Sequence, residues 1–356
     1  MVCSWRLWML IDPLTATVPS PRHRRSTFVA SHGQPLFYRL HGRGPTKILF
    51  TMGLAGDHTQ WQPQVEYFAR QPDAFEVCVY DNRGMGNSGF VGGRWTTSAM
   101  AGDAQELLDH LAAGGAGGLE PERWGAGGRV HVVGLSMGGM ITQELALRDP
   151  ARFASVCLVS THAGGLRSIP PLGGVGALFQ ALMGKTDRDR LKGGLLTLFP
   201  QDFLDAPVPV PAAGAMEPGA EGGAPAEMNF ERMGRGLVER AMQARMDGCP
   251  PSKLKSIIWQ VPAAMLHYVS YERLGRLRKL HAQGKMDLLV VTGDKDILVH
   301  IRNSHCIAEA LDCPLLTLRG AGHGANEQCA LEFNIQLEAM VRRADAARGG
   351  TPPSRL

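Results

Sequence analysis

The sequence predicts an α/β architecture, with a mostly parallel central sheet and helices on both of its faces. Two observations carry the prediction: short, continuously apolar runs bounded by Gly, Pro and Asp, and helical patterns that alternate with them. Strands covered on both faces read as unbroken apolar runs because neither side meets water. The runs are KILFTM (47–52), FEVCVYD (75–81), VHVVGLS (130–136), ASVCLVS (154–160), DLLVVTG (287–293) and PLLTLRG (314–320). An earlier pair, STFVAS and PLFYRLHG, flanks His32 and Gly33 and predicts an antiparallel hairpin leading into the sheet. Helical patterns fall at TTSAMAGDAQELLDHLAA (96–113), at MGGMITQELALRDP after Ser136, and at ALEFNIQLEAMVRRADAA near the end.

Two segments interrupt the alternation. Residues 112–128, AAGGAGGLEPERWGAGG, read as a low-complexity surface loop. Residues 165–285 lack buried-strand runs and carry helical patterns, so they are expected to form a helical cap, with a disordered loop at about 206–227. The expected organisation is a core of residues 26–164 and 286–345 around that cap, with tails at 1–25 and 346–356. The arginines in PRHRRS make the first 25 residues either a disordered tail or an organelle transit segment.

Composition narrows the function classes. With 356 residues, 44% of them hydrophobic, the chain can fill a large core. A net charge of +4 from scattered charges presents no nucleic-acid-binding face, so a small-molecule partner is expected. Seven cysteines without a C-x-x-C pair suggest neither a disulfide framework nor a zinc site. A reducing, intracellular location follows as the expectation, in the cytoplasm or, with a transit segment, in a chloroplast or mitochondrion. No apolar run approaches the roughly 18–20 residues that cross a bilayer, so no obligatory membrane association is expected; oligomeric state stays open.

The chemistry centres on Gly134-Leu135-Ser136-Met137-Gly138. In a chain with 44 glycines the G-x-S-x-G spacing is a weak signal alone. Its context strengthens it, because a buried-strand pattern precedes Ser136 and an amphipathic helix pattern follows. A serine hydroxyl needs a histidine to accept its proton and a carboxylate to orient the histidine. Asp294 and Asp296 follow the run DLLVVTG, and His323 follows PLLTLRG. These candidates fall past the C-terminal ends of strands, where open α/β sheets build sites.

Together with MGLAGDHTQWQPQ (52–64), YDNRGMGNSG (80–89), TTSAMAGDAQELLDHL (96–111), VVGLSMGGMITQELAL (132–147), VVTGDKDILV (290–299) and GAGHGANEQ (320–328), these motifs resemble the α/β-hydrolase-fold serine hydrolases. The similarity is to the branch holding enol-lactonases, carboxylesterases and plant and algal hydrolases of unassigned role, and it spans roughly residues 26–345. It implies the α/β-hydrolase fold, with Ser136 as nucleophile, His323 as general base and Asp296, at the family's G-x-x-D spacing from Gly293, as orienting acid. It also implies an oxyanion hole from the backbone N–H groups of Leu54 and Met137, with no metal and no organic cofactor. Met52 stands where the family often has histidine, which is expected to alter loop packing without removing the donor. The implied reaction is hydrolysis of a small, apolar carboxylic ester or lactone through an acyl-enzyme. Cleavage of a carbon–carbon bond by the same residues, and a non-catalytic receptor that keeps them, are the alternatives.

Other residues receive plainer expectations. Asp81 and Arg83 are read as hydrogen-bonding within a tight turn, and Asp103 and Asp109 as solvated or helix-end charges. His58 and Trp61 either line the pocket or pack. Met183, Met228, Met233, Met242, Met246 and Met265 are read as core or as an adaptable acyl pocket, and the cysteines as structural.

Overall fold

Eight strands form one sheet in the computed structural model of the chain: β1 (Arg24–Val29), β2 (Pro35–Gly42), β3 (Thr46–Thr51), β4 (Phe75–Tyr80), β5 (Val130–Leu135), β6 (Phe153–Val159), β7 (Asp287–Gly293) and β8 (Leu315–Leu318). Their spatial order is β1-β2-β4-β3-β5-β6-β7-β8. The hairpin β1–β2 joins β4 antiparallel, and all pairs from β4 through β8 are parallel. The structure describes residues 24–93, 95–114, 124, 130–165, 168, 171–208, 227–246 and 254–347. The expectations for the N-terminal and C-terminal tails and for the loop at 206–227 fall almost wholly outside the described residues, as does most of 112–128.

Side chains along a strand point alternately to opposite faces, and this period of two separates two cores. Leu49, Cys78, Val132, Leu158 and Val290 join one apolar cluster, while their chain neighbours Phe50, Val79, Val133, Val159 and Val291 join the other. On the first face lie α2 (Thr97–Ala112), α3 (Met137–Arg148), α9 (Tyr271–Ala282) and α10 (Ile301–Leu311), through Leu107, Ile141, Leu274 and Ile307. On the second lie α1 (Gln62–Ala69), the short α11 (Ala325–Gln328) and α12 (Ala330–Ala346), through Phe68, Ala325 and Phe333. Every residue of α3 but Arg148 is buried, because the helix is wedged between the sheet and its helical neighbours.

Between β6 and β7 the chain runs through α4 (Leu172–Met183), α5 (Asp187–Leu198), α6 (Gln201–Leu204), α7 (Asn229–Met246) and α8 (Leu254–Met265) before α9. Leu195, Phe199, Leu204 and Met233 form a small core of their own there. Although α9 lies within the expected cap boundaries, Leu274 and Leu277 pack into the main core. Arg273 also meets Glu144 of α3 through two 2.8 Å hydrogen bonds. Among the described residues, no helix is long and apolar enough to cross a membrane.

At the N-terminal edge of the parallel strands, Lys47 is fully buried in the run read as apolar. Its Nζ donates to Gly44 O (2.6 Å) and to Glu76 Oε2 (2.7 Å), which also accepts from Trp124 Nε1 (2.9 Å). Removing one partner of such a pair leaves a charge without compensation in the interior. Lys47→Met should therefore lower unfolding stability by about 3–5 kcal/mol, and Lys47→Met/Glu76→Gln should recover part of the loss, as read from urea unfolding.

Candidate active site

Ser136 occupies the junction of β5 and α3 with φ 57° and ψ −122°, a strained backbone for a residue with a Cβ. The turn is over-determined. Ser136 N–H donates to Val159 O (2.9 Å), while its carbonyl accepts from Gly139 N–H (2.9 Å), Met140 N–H (3.2 Å) and Thr161 Oγ1 (2.7 Å). The hydroxyl makes no capping bond to α3, which leaves it for other chemistry. Both glycines of the motif are needed sterically. A Cβ on Gly134 would lie 2.4 Å from Gly138 O, and one on Gly138 would lie 2.1 Å from Thr51 O.

The loop after β3 is pressed against this turn. A Cβ on Gly53 would stand 3.1 Å from Ser136 Cβ, so Leu54 begins beside the serine. Asn82 Nδ2 donates to Met52 O (2.8 Å), and Ala55 N–H, at φ 61°, donates to buried Gln260 Oε1 of α8 (2.8 Å). Met52 is a core side chain, and the loop is held through its backbone. Met137 is the first residue of α3, where a helix leaves its N–H groups without intrahelical partners.

Asp296 and His323 come together past the ends of β7 and β8. Asp296 Oδ1 accepts from the N–H groups of Leu298 (2.8 Å) and Val299 (2.9 Å), and Oδ2 lies 2.8 Å from His323 Nδ1. With the carboxylate serving as acceptor throughout, the proton of the neutral His323 ring belongs on Nδ1, which leaves the lone pair on Nε2 in that tautomer. Asp294 is exposed and accepts from Gly320 N–H (2.7 Å), away from the histidine. The loop bearing His323 is clasped by the helical insert, since Gly324 N–H donates to Leu198 O at the end of α5 (2.8 Å).

Several neighbours differ from their plain expectations. Arg83 makes two 2.6 Å bonds to Asp103, which is buried rather than solvated, the pairing offsetting part of the cost of taking the carboxylate out of water. Asp81 accepts from His58 N–H, His58 Nδ1 and Asn87 N–H at 2.8–2.9 Å. Asp57, His58 and Asp81 are the one group among the described residues close enough to chelate a cation. Asp57 Oδ1 takes both Thr59 N–H and Thr59 Oγ1, and His58 Nδ1 already meets Asp81 Oδ1, while the buried His58 Nε2 has no hydrogen-bond partner among the described residues. Trp61 packs on Phe50 with ring centroids 4.7 Å apart. Met183, Met242 and Met265 are exposed and Met233 belongs to the small core of the insert, so these four do not form a common pocket. Burial pushes the thiols of Cys78 and Cys157 up, which keeps them inert.

His162, which the motifs do not mark, lies near His323, and His267 lies beside it. His162 follows Thr161 on the loop after β6, and His267 lies just past α8, with ring centroids 6.3 Å apart. The signal for His162 was its place after a strand end, the same rule that found Asp296 and His323. Burial, and then the nearby His323, pushes His162 down to about 4. Burial, then His162 and Arg273, pushes His267 down to about 3.

The comparisons with known proteins agree with this architecture. The profile of the alpha/beta hydrolase family matches residues 40–334. RutD of Azorhizobium caulinodans, named as a candidate carbamate hydrolase, is 36% identical over 128 residues, covering 36% of this chain and 42% of its own. The 3-oxoadipate enol-lactonase 2 of Acinetobacter baylyi is 33% identical over 116 residues, covering 33% of this chain and 37% of its own. The chain thus spans about two fifths of the length of the curated relatives it matches. The enol-lactonase structure from Burkholderia xenovorans LB400 superposes with a TM-score of 0.60 at 21% identity, covering 89% of this chain and 99% of that one, a likeness of fold.

The two depressed histidines set a pH dependence of stability. In the unfolded chain each is protonated below about pH 6.5, whereas the folded chain holds His162 neutral to about 4 and His267 to about 3. The unfolded state binds more protons in that window, so stability rises with pH across it. Urea midpoints should fall from pH 6.5 toward 4, and His162→Gln should flatten that slope by roughly one proton.

Proposed function

The chain belongs to the alpha/beta hydrolase family, and on that premise we propose that it hydrolyses a carboxylic ester or lactone through a covalent acyl-enzyme on Ser136. The observation that supports this reading is the Asp296–His323 hydrogen bond of 2.8 Å at the sheet edge where Ser136 occupies its strained turn. In the proposed reaction Ser136 Oγ attacks the substrate carbonyl carbon while its proton passes to His323 Nε2. The developing oxyanion is received by the N–H groups of Leu54 and Met137. Collapse breaks the ester C–O bond, and His323 returns the proton to the departing alkoxide. Water then attacks the acyl carbonyl with His323 again as base, and the acid is released as Ser136 regains its proton. Asp296 holds the ring in the tautomer that both half-reactions require.

The helical insert serves as a cap that sets which acyl group reaches Ser136. Lactones and carbamates join the substrate panel because the relatives' names point to those bonds, which present the same polarised carbonyl.

Treatment with a fluorophosphonate should add one covalent adduct to the natural chain and none to Ser136→Ala, as read by intact-protein mass spectrometry. No adduct on the folded natural chain would overturn the reading. The two aspartates separate further: with p-nitrophenyl butyrate, Asp296→Asn should lower kcat roughly ten-thousandfold, whereas Asp294→Asn should stay within about threefold of the natural chain.

A further inference from the structure

The loop after β6 carries a group that hydrolysis by Ser136, His323 and Asp296 leaves unused. Ser160 turns the chain at φ 46°, and the residues beyond it are tied from every side. Thr161 Oγ1 donates to Ser136 O (2.7 Å), and Gln143 Nε2 donates to the carbonyl of His162 (3.0 Å). Val269 N–H donates to Ala163 O (2.8 Å). Gly164 N–H donates to His162 Nδ1 (3.1 Å), which fixes the tautomer: in the neutral ring the proton is on Nε2. No described residue accepts from that Nε2. The ring is uncharged at neutral pH, since burial and His323 hold it so.

The surroundings of His162 are polar where an acyl pocket of plain hydrocarbon character was expected. His267 Nδ1 pairs with Thr97 Oγ1 (2.8 Å), and its buried Nε2 has no hydrogen-bond partner. An uncharged N–H donor held rigidly at the catalytic edge suits a neutral oxygen acceptor. A buried donor left without one also costs free energy when an apolar group displaces its water.

Resting on the serine-hydrolase reading above, we propose that His162 is a specificity residue: its Nε2–H receives a second, neutral oxygen of the substrate's acyl group, so that the site selects oxo-acyl esters or lactones over hydrocarbon acyl groups of the same shape. The class is set by the donor's charge. A neutral imidazole discriminates an oxygen from a methyl group, and it supplies no counter-ion for a carboxylate.

The test compares kcat/KM for p-nitrophenyl levulinate with that for p-nitrophenyl isocaproate, in which a methyl replaces the oxo oxygen, and acetoacetate with isovalerate in the same way. Each value is divided by the ester's own rate with hydroxide. The natural chain should prefer the oxo ester of at least one pair by about tenfold or more. His162→Phe should bring that ratio close to one, and His162→Gln, whose amide can still donate, should keep part of it. Fluorophosphonate labelling of Ser136 reports that each variant is folded and has its nucleophile in place. If His162→Phe does not label, His162→Gln and the natural chain's own ratio decide. A natural ratio near one in both pairs, or a ratio unchanged in a labelled His162→Phe, overturns this inference while leaving the hydrolase reading intact. A folded natural chain that does not label overturns both.

Discussion

The backbone of Gly138 rests on the backbone of Thr51 with no room for a side chain, and most of the site's geometry is measured from that contact. A Cβ there would come within 2.1 Å of the Thr51 carbonyl oxygen. Because α3 can approach β3 this closely, the chain must reverse sharply at Ser136, which stands at φ 57° with its carbonyl turned back toward Gly139, Met140 and Thr161. The same approach brings Gly53 against Ser136. The loop carrying Leu54 and the start of α3 at Met137 are therefore brought to the serine by main-chain packing.

Strain is concentrated where this packing is tightest. Among the described residues, four non-glycine residues have positive φ; Ala55, Ser136 and Ser160 surround the site, and Asp312 ends a helix. Each of the three is held by a hydrogen bond from its own N–H, to Gln260 Oε1, Val159 O and Val291 O respectively. Unfavourable backbone persists where the surroundings over-determine it. The insert takes part in this through Gln260, so it and the Ala55 turn are not independent pieces of structure.

Much of the fold was legible because burial on both faces leaves a strong mark: the predicted runs and the strands agree to within a residue or two for most elements, and β7 coincides with DLLVVTG. The candidates Ser136, Asp296 and His323 stand out in the sequence because they fall past strand ends in glycine-spaced motifs, and the structure places Asp296 against His323. The choice between Asp294 and Asp296 rested on family spacing alone, and only geometry shows which carboxylate meets His323. What stayed hidden depends on contacts far apart in the chain. Lys47 stands unexplained at the head of the run KILFTM until Glu76, on the neighbouring strand, is placed beside it. Asp103 reads as a surface charge until Arg83 reaches it across 20 residues. His162 and His267 lie 105 positions apart in the sequence, and no local pattern links them.

A hydrogen bond from Gly324 N–H to Leu198 O joins the loop of His323 to the last turn of α5. A Cβ on Gly322 would likewise fall 2.5 Å from that same carbonyl. In engineering terms, the insert is not an interchangeable module. Replacing it wholesale with a relative's would remove Leu198 O, and with it Gln260, which accepts from Ala55 N–H, and Arg240, which pairs with Glu327 just past His323. A chimera would have to keep the end of α5 and these two positions, so sequence diversity is confined to the rest of the insert.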